Sequence, residues 1–321
     1  MVRPKVLLTR KWPAAVERHL AERYEVTTND SDAPLGKDAL CDAMRGHDAL
    51  CPTVTDAIDA AILATPNARV RIVGNYGVGI NHIDVTAARH IGIAVTNTPD
   101  VLTDATADIA ILLILMSTRR AGEGERELRA GRWTGWRPTH LPGLGIDGKT
   151  LGLVGFGRIS QATARRARSF GMNIAYHSRH RNIPAEEATQ ARFVASLDEL
   201  VTQADVLSLH CPGGAETHHL IDQRRLALMK GTAVLVNTAR GSVVDEAALA
   251  VALQSGTIAA AGLDVYEHEP RVDERLLRME NVALLPHLGS ATLETRVAMG
   301  MRVVENLDAF FAGKAPPDVV A

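Results

Sequence analysis

Short apolar runs alternate along the chain with longer stretches whose apolar residues recur at helical spacing. Lys5-Val-Leu-Leu-Thr9 reads as a first strand. Residues 13–23 have helical spacing, with Ala14, Val16 and Leu20 apolar between charges. Tyr24 to Thr27, Ala49 to Pro52, Val70 to Val73 and Ile93 to Thr96 read as further strands with helices between them. Alternation of this kind means a parallel sheet, because each helical crossover returns the next strand in the same direction. The first unit ends near Pro99. A long helix follows, roughly Thr103 to Arg119, and Arg132 to Gly145, rich in Gly, Pro and Trp, reads as an ordered loop.

A second unit opens with Thr150-Leu-Gly-Leu-Val-Gly155, a strand running into a glycine turn. Five more strands follow, at Asn173 to Tyr176, Val206 to His210, Ala233 to Asn237, Ala260 to Val265 and Val282 to Leu285. The expected class is α/β, with two doubly wound, Rossmann-like parallel sheets. The helical stretch Leu293 to Phe311 comes too late to join the second sheet and is expected to return to the first unit. The expected boundaries are therefore 1–99 with 290–321 for one discontinuous domain and 100–289 for the other.

Composition narrows the partners. A formal net charge of −2 gives no reason to expect nucleic acid or a membrane surface. Three cysteines without a spacing pattern (Cys41, Cys51, Cys211) are poor material for a disulfide framework or a zinc site, so no metal is expected. The most apolar segment, Ile109 to Met116, is far shorter than a bilayer span. The N-terminus has no sustained apolar h-region, and a cytoplasmic location is the expectation.

The glycine turn suggests a cofactor. Gly155 allows a tight turn, and Gly157 lets the backbone approach a pyrophosphate. The helix that follows offers N–H groups at Arg158 and Ile159 and the positive end of its dipole. Ser160 takes the third glycine position and still permits close packing. A strand before and a helical stretch after supply the context that a lone glycine motif lacks. At the end of the next strand, an acid would bind the adenosine ribose hydroxyls of NAD. Tyr176-His-Ser-Arg-His-Arg181 has none. Ser178 can hydrogen-bond a 2′-phosphate, and Arg179 and Arg181 can neutralise it, which favours NADP and leaves NAD open.

Three further strand ends carry chemistry. They hold Arg240 in Val-Asn-Thr-Ala-Arg-Gly, Glu269 in Tyr-Glu-His-Glu-Pro and His287 in Leu-Pro-His-Leu-Gly-Ser. A guanidinium fork binds a carboxylate and polarises an adjacent keto oxygen. An imidazole moves the proton, and a carboxylate orients the imidazole and favours its charged form. Each residue alone reads as an ordinary surface or loop group; their joint occurrence at successive strand ends does not. Glu267 competes with Glu269 for the carboxylate role, and spacing does not choose between them.

The chain resembles the D-isomer-specific 2-hydroxyacid dehydrogenases over nearly its whole length. The likeness rests on Asn75-Tyr-Gly-Val-Gly-Ile-Asn-His-Ile-Asp84, Gly155 to Ile159, His210-Cys-Pro212, Asn237 to Gly241, Gly262 to Pro270 and Pro286 to Ser290. The resemblance implies two similar domains hinged around a cleft, one for substrate (flavodoxin-like) and one for the dinucleotide. It makes Arg240 the substrate anchor, His287 the acid/base and Glu269, directly before the proline, its carboxylate. It also implies that N–H groups at Val78 and Gly79 hold the substrate carboxylate, which fits two glycines, at 77 and 79, letting a loop present its amides. Asp264 looks like the residue that holds the nicotinamide carboxamide, and cofactor contacts are implied at Pro212, Thr238 and Gly289.

Within the family, the chain looks most like the glyoxylate/hydroxypyruvate reductases. There the tryptophan corresponding to Trp136 reaches into a neighbouring subunit, so Trp136 becomes a candidate substrate contact and a homodimer is implied. A contact within the chain's own core is the alternative for Trp136. The expected reaction is hydride transfer from NAD(P)H to a short 2-keto acid, giving the D-2-hydroxy acid. Alternatives are another 2-keto acid, phosphite oxidation, or a non-enzymatic, corepressor-like dinucleotide sensor.

Overall fold

The computed structural model describes residues 3–321. In chain order the elements are β1 (Lys5–Leu8), α1 (Ala14–Arg23), β2 (Glu25–Thr27), α2 (Lys37–Gly46), β3 (Ala49–Cys51), α3 (Ala60–Leu63), β4 (Ile72–Gly74), α4 (Val85–His90) and β5 (Ala94–Thr96). Next come α5 (Thr103–Thr118), α6 (Ala121–Arg129), β6 (Thr150–Val154), α7 (Arg158–Ser169), β7 (Asn173–His177), α8 (Ile183–Thr189), β8 (Arg192–Phe193), α9 (Leu197–Gln203) and β9 (Val206–Leu209). The chain closes with α10 (Gln223–Leu228), β10 (Val234–Asn237), α11 (Glu246–Gln254), β11 (Ala260–Leu263), α12 (Glu274–Leu277), β12 (Val282–Leu284) and α13 (Leu293–Phe311).

Two compact units result, 1–102 with 291–321 and 103–290. Unit 1 holds a five-stranded sheet ordered β2-β1-β3-β4-β5, and unit 2 a seven-stranded sheet ordered β12-β11-β10-β9-β6-β7-β8. Every strand pairing is parallel. Counted within each unit, these are the flavodoxin-like and the Rossmann orders, whose ligands sit at the carboxyl ends of the strands. The α/β expectation with two doubly wound parallel sheets holds.

The strands read as unbroken apolar runs because both faces are covered. β3, β4, β9, β10 and β11 are buried at every position. In unit 2, Leu207, Leu235 and Ala261 form one core with the α9, α10 and α11 side, while Leu151, Val206, Val234 and Val236 form another with α5 and α7. In unit 1, α13 packs on α1 and β4, and Gly74 admits it closely: an added Cβ would lie 2.8 Å from Val303. Two elements escaped the apolar pattern. α6 buries none of its side chains, so its sequence carries no stripe to detect. β8 is a two-residue edge strand, below the length at which alternation is readable.

Candidate active site

With all strands of unit 2 parallel, their carboxyl ends share one edge. Asn237 ends β10 and is buried; its Nδ2 donates to the Arg240 carbonyl at 2.9 Å, and its Oδ1 accepts from Ala239 N–H at 3.0 Å. That pair of bonds winds the 237–240 turn that carries Arg240. Gly241 then presses on the loop after β11, where an added Cβ would lie 1.8 Å from the Tyr266 carbonyl carbon. Only glycine fits, so the Arg240 turn and the Tyr266–Glu267 peptide are packed as one piece. Arg240 Nη1 donates to the Ala239 carbonyl at 2.7 Å. Burial pushes the guanidinium pKa down from its ordinary value and the Glu269 carboxylate pulls it back, but a guanidinium stays charged at any working pH.

Asp264, just past β11, is 1 % exposed. Its carboxylate accepts Leu288 N–H at 2.6 Å and Gly289 N–H at 2.8 Å, and its carbonyl accepts His287 N–H at 2.9 Å. Burial pushes this carboxyl up, while the two N–H bonds and His287 oppose that. One buried acid thus holds the turn that carries His287, a task the sequence did not disclose. His287 itself has φ 55°, a left-handed conformation uncommon for a residue with a side chain, which persists only where surrounding bonds over-determine it. Thr106 on α5 donates to the Gly289 carbonyl at 3.0 Å and closes the turn.

His287 Nδ1 meets Glu269 Oε2 at 2.8 Å. The other carboxylate oxygen accepts Tyr266 N–H at 3.1 Å. Burial pushes the Glu269 carboxyl up, but the His287 bond and charge, the Tyr266 N–H and Arg240 outweigh it, and the net shift is downward. Glu267, two residues earlier, points elsewhere. It meets His219 Nε2 at 2.7 Å, and its N–H donates to Glu246 Oε2 at 3.0 Å. Of the two acids that spacing left open, Glu269 is the one beside His287. The arrangement leaves His287 Nε2 without a protein partner among the described residues, the state an imidazole needs to exchange a proton with a substrate.

The glycine turn lies at the end of β6. Gly155 has φ 89°, and an added Cβ would lie 2.9 Å from both the Cys211 nitrogen and the His210 oxygen, so turn and β9 end are in tight contact. Phe156 stacks on Tyr176 with ring centroids 3.7 Å apart, and Ser160 Oγ donates to the Gly155 carbonyl at 2.8 Å. Around a Cβ built on Gly157 there is nothing within 4 Å, and no side chain caps the helix that starts at Arg158 and Ile159. Thr238 Oγ1 is buried without a partner, and Pro212 is exposed beyond β9. An open helix N-terminus beside a glycine turn and an orphaned hydroxyl fit a dinucleotide's pyrophosphate and its neighbours.

The basic loop after β7 is less bare of acid than it reads in sequence. Ser178 Oγ donates to the His180 carbonyl at 2.5 Å. Arg179 pairs with Glu216 at 2.8 Å, both side chains being at least three-quarters exposed. A pair so exposed is worth about 0–1 kcal/mol and yields readily to another anion. Arg181 is held more firmly: it forks onto both oxygens of Glu186 at 2.9 Å, and Glu186 also accepts from Tyr176 OH at 2.6 Å. Glu216 comes from 37 residues further along the chain than Arg179, whereas Glu186 lies only five residues past Arg181, on α8.

Val78 and Gly79 lie in unit 1, in the loop after β4. Gly77 there does not adopt a left-handed conformation, and a Cβ on it would make only ordinary contacts at 3.5 Å, so backbone freedom at that glycine is not what shapes the loop. Trp136 is 82 % exposed, which removes the alternative of a contact in its own chain's core.

His218, His219 and Glu267 bring three ligand-type atoms within 4.8 Å of one another. The two imidazoles are stacked, however, with centroids 4.0 Å apart and planes 24° from parallel, so their in-plane lone pairs run side by side instead of converging on an ion. A cavity of about 600 Å³ lined by Thr118, Glu123, Val234, Ala260 and Val282 opens at the amino ends of β10 to β12, the edge opposite Arg240, Glu269 and His287. No helix among the described residues is long and apolar enough to cross a membrane.

Comparison with known proteins agrees with this geometry. The sequence model described as "D-isomer specific 2-hydroxyacid dehydrogenase, NAD binding domain" matches residues 111–289. The glyoxylate reductase of Thermococcus kodakarensis is 47% identical over 324 aligned positions, covering 99% of this chain and 96% of that protein. That of Thermococcus onnurineus is 45% identical over the same span, with the same coverage. Among solved structures, an NADPH-dependent glyoxylate/hydroxypyruvate reductase from Sinorhizobium meliloti, bound to NADP and malonate, superposes with a TM-score of 0.89 at 40% identity, covering 99% of this chain and 97% of that one.

Proposed function

The chain belongs to the D-isomer-specific 2-hydroxyacid dehydrogenases and is an NAD(P)-dependent oxidoreductase of short 2-keto acids, and from that premise we propose that glyoxylate or hydroxypyruvate is its substrate. The observation that carries the proposal is the Glu269–His287 pair, set on a turn pinned by Asp264 and adjoined by the Arg240 turn. When bound, the dinucleotide supplies the hydride to the keto carbon. The chain's own residues do the rest. His287 Nε2 gives its proton to the carbonyl oxygen as negative charge builds there. Glu269 holds Nδ1, fixes the ring orientation and stabilises the imidazolium before transfer. Arg240 directs its fork at the same oxygen and polarises it. Val78 and Gly79 N–H groups receive the substrate carboxylate.

For the cofactor we assign the pyrophosphate to the turn Gly155–Ile159, with Thr238, Pro212 and Gly289 lining the remainder. Asp264 has its oxygens engaged by the His287 turn, so its remaining lone pairs are what it offers a carboxamide. NADP is favoured over NAD. Ser178 and the weakly held Arg179 carry that preference, with Arg181 behind them, already paired to Glu186. We further propose a homodimer in which the exposed Trp136 reaches the partner subunit's substrate site; Trp133, 51 % exposed, and Leu128, 61 % exposed, extend the same uncovered segment. Three unpaired thiols are at home in a reducing compartment, in keeping with the cytoplasm.

The test is a turnover panel with NADPH and NADH against glyoxylate, hydroxypyruvate and pyruvate, with phosphite assayed as a reductant of NADP and NAD. Fastest oxidation of NADPH by glyoxylate or hydroxypyruvate is expected. Turnover of pyruvate or phosphite in preference to both would overturn the substrate assignment. In the same assay Arg179→Asp should move the ratio of kcat/KM values toward NADH, and an unchanged ratio would remove the basic loop as selector.

A further inference from the structure

The loop that follows β4 contains three consecutive carbonyls whose partners are side-chain amides or lie next to one. Asn75 is fully buried, and its Nδ2 donates to the carbonyls of Gly77 at 2.9 Å and Gly79 at 3.0 Å. Asn97, just past β5, donates from Nδ2 to the Val78 carbonyl at 2.9 Å. Thr98 N–H adds a bond to Gly77 O at 3.1 Å. Asn75 is itself aimed: its Oδ1 faces His82 Nε2 at 3.0 Å, and its backbone N–H is held by the Thr96 carbonyl at 3.0 Å. Tyr76 anchors the start of the loop through its N–H on Pro52 O at 2.9 Å and its hydroxyl on Arg296 O at 2.5 Å.

In a trans peptide the C=O and the following N–H point in opposite directions. Drawing the carbonyls of 77, 78 and 79 onto Asn75 and Asn97 therefore turns the N–H groups of the next residues away from those amides. The N–H groups of Val78 and Gly79 find no acceptor among the described residues. Successive N–H groups left open in this way are the elements of an anion-binding concavity. Conformational freedom at Gly77 does not account for it, since Gly77 is not left-handed and has room for a Cβ.

We infer that Asn75 and Asn97 are positioning residues, which hold the Gly77–Gly79 carbonyls inward so that the Val78 and Gly79 amides form a carboxylate receptor. The inference rests on the reading above that these amides take the substrate carboxylate. Neither asparagine touches the substrate; both act through the backbone. An acid at position 75 would face two carbonyl oxygens with a third acceptor, and the peptides would have to turn.

The experiment compares Asn75→Asp, Asn97→Ala and Gly79→Pro with the native enzyme. Readouts are KM and kcat for glyoxylate, the affinity for oxalate as a non-reacting carboxylate probe, and the affinity for NADPH. Gly79→Pro deletes one of the proposed donors outright. The expected result is that all three raise KM and weaken oxalate about tenfold or more, the loss of a charge-assisted hydrogen bond or its alignment. NADPH affinity should stay within about twofold, and kcat should fall less than KM rises. If Gly79→Pro weakens oxalate while Asn75→Asp and Asn97→Ala both bind it normally, the positioning role is overturned and the carboxylate assignment stands. If Gly79→Pro leaves oxalate affinity intact, the carboxylate assignment fails and the inference falls with it. Should Asn75→Asp fail to fold, Asn97→Ala, which removes a single bond to Val78, decides alone.

Discussion

One loop carries two His–carboxylate pairs, and they are chemically alike. Glu267 meets His219 at 2.7 Å and Glu269 meets His287 at 2.8 Å, with the four side chains 17 to 33 % exposed. What separates them is the surroundings. The Glu267 pair binds through Nε2 of its imidazole, and its backbone is tied to Glu246 on α11. The Glu269 pair binds through Nδ1, sits near the half-buried charge of Arg240 and rides on a left-handed turn fixed by Asp264. A His–Glu contact is thus no signature of catalysis by itself. The turn pinned by Asp264 and the positive charge nearby make the difference.

The largest expected contrast follows from that. His287→Ala should lower kcat for glyoxylate reduction about 10²–10⁴-fold, the usual contribution of a general acid. His219→Ala should stay within about tenfold of native, because its pair stands off the Asp264-pinned turn and has no Arg240 charge acting on it. Equal losses in the two variants, measured by steady-state dinucleotide oxidation, would erase the distinction.

Next in size are the carboxylates. Glu269→Gln keeps the shape and a hydrogen bond but loses the charge that favours the imidazolium, and kcat should drop about 10²-fold with NADPH affinity unchanged. Glu267→Gln should change kcat by less than about threefold and lower stability by no more than about 1 kcal/mol, the scale of a partly exposed ion pair. A larger loss from Glu267→Gln than from Glu269→Gln would reverse the assignment.

A third substitution ties the pairs together. The Tyr266–Glu267 peptide lies between them and against Gly241. Gly241→Ala should cost about 1–3 kcal/mol in thermal or denaturant unfolding as the crowded peptide shifts. It should also lower kcat, because both Arg240 and Glu269 are carried by the displaced segments. Unaltered stability would mean that the close approach is relieved cheaply.

The smallest effect is on acid stability. The fold lowers the Glu269 pKa, so its contribution is fully present above the ordinary carboxylate value of about 4.3 and is lost as pH falls through the lower folded value. The stability difference between native protein and Glu269→Gln should shrink as pH falls below about 4. A difference that grows in acid would contradict the sign.

Much of this was legible before the structure, for physical reasons. Buried parallel strands write themselves as apolar runs, so β6, β9, β10 and β11 and the residues past the ends of two of them, Gly155 and Arg240, could be placed from pattern alone, whereas Asp264 fell inside the expected strand Ala260 to Val265 and was singled out by the family resemblance. The choice between Glu267 and Glu269 could not, because it depends on how the loop turns after β11. Nor could the Asp264 bonds to Leu288 and Gly289 or the pressure of Gly241 on Tyr266, which join segments 24 to 25 residues apart. Asn75 opened a stretch that carries the family resemblance and Asn97 stood just past a strand, neither with a task of its own; only the carbonyls they hold give them one. The cofactor loop was legible only in part, since the pairing of Arg179 with Glu216 depends on a segment 37 residues away.

The central claim is that one imidazole of the two delivers the proton. Its most direct test is a single-turnover experiment with NADPH already bound, in which product release drops out. NADPH oxidation after mixing with saturating glyoxylate should be slowed about 10²-fold or more in His287→Ala and left within about threefold of native in His219→Ala, with NADPH affinity preserved in both. A His287→Ala rate within tenfold of native would contradict the account.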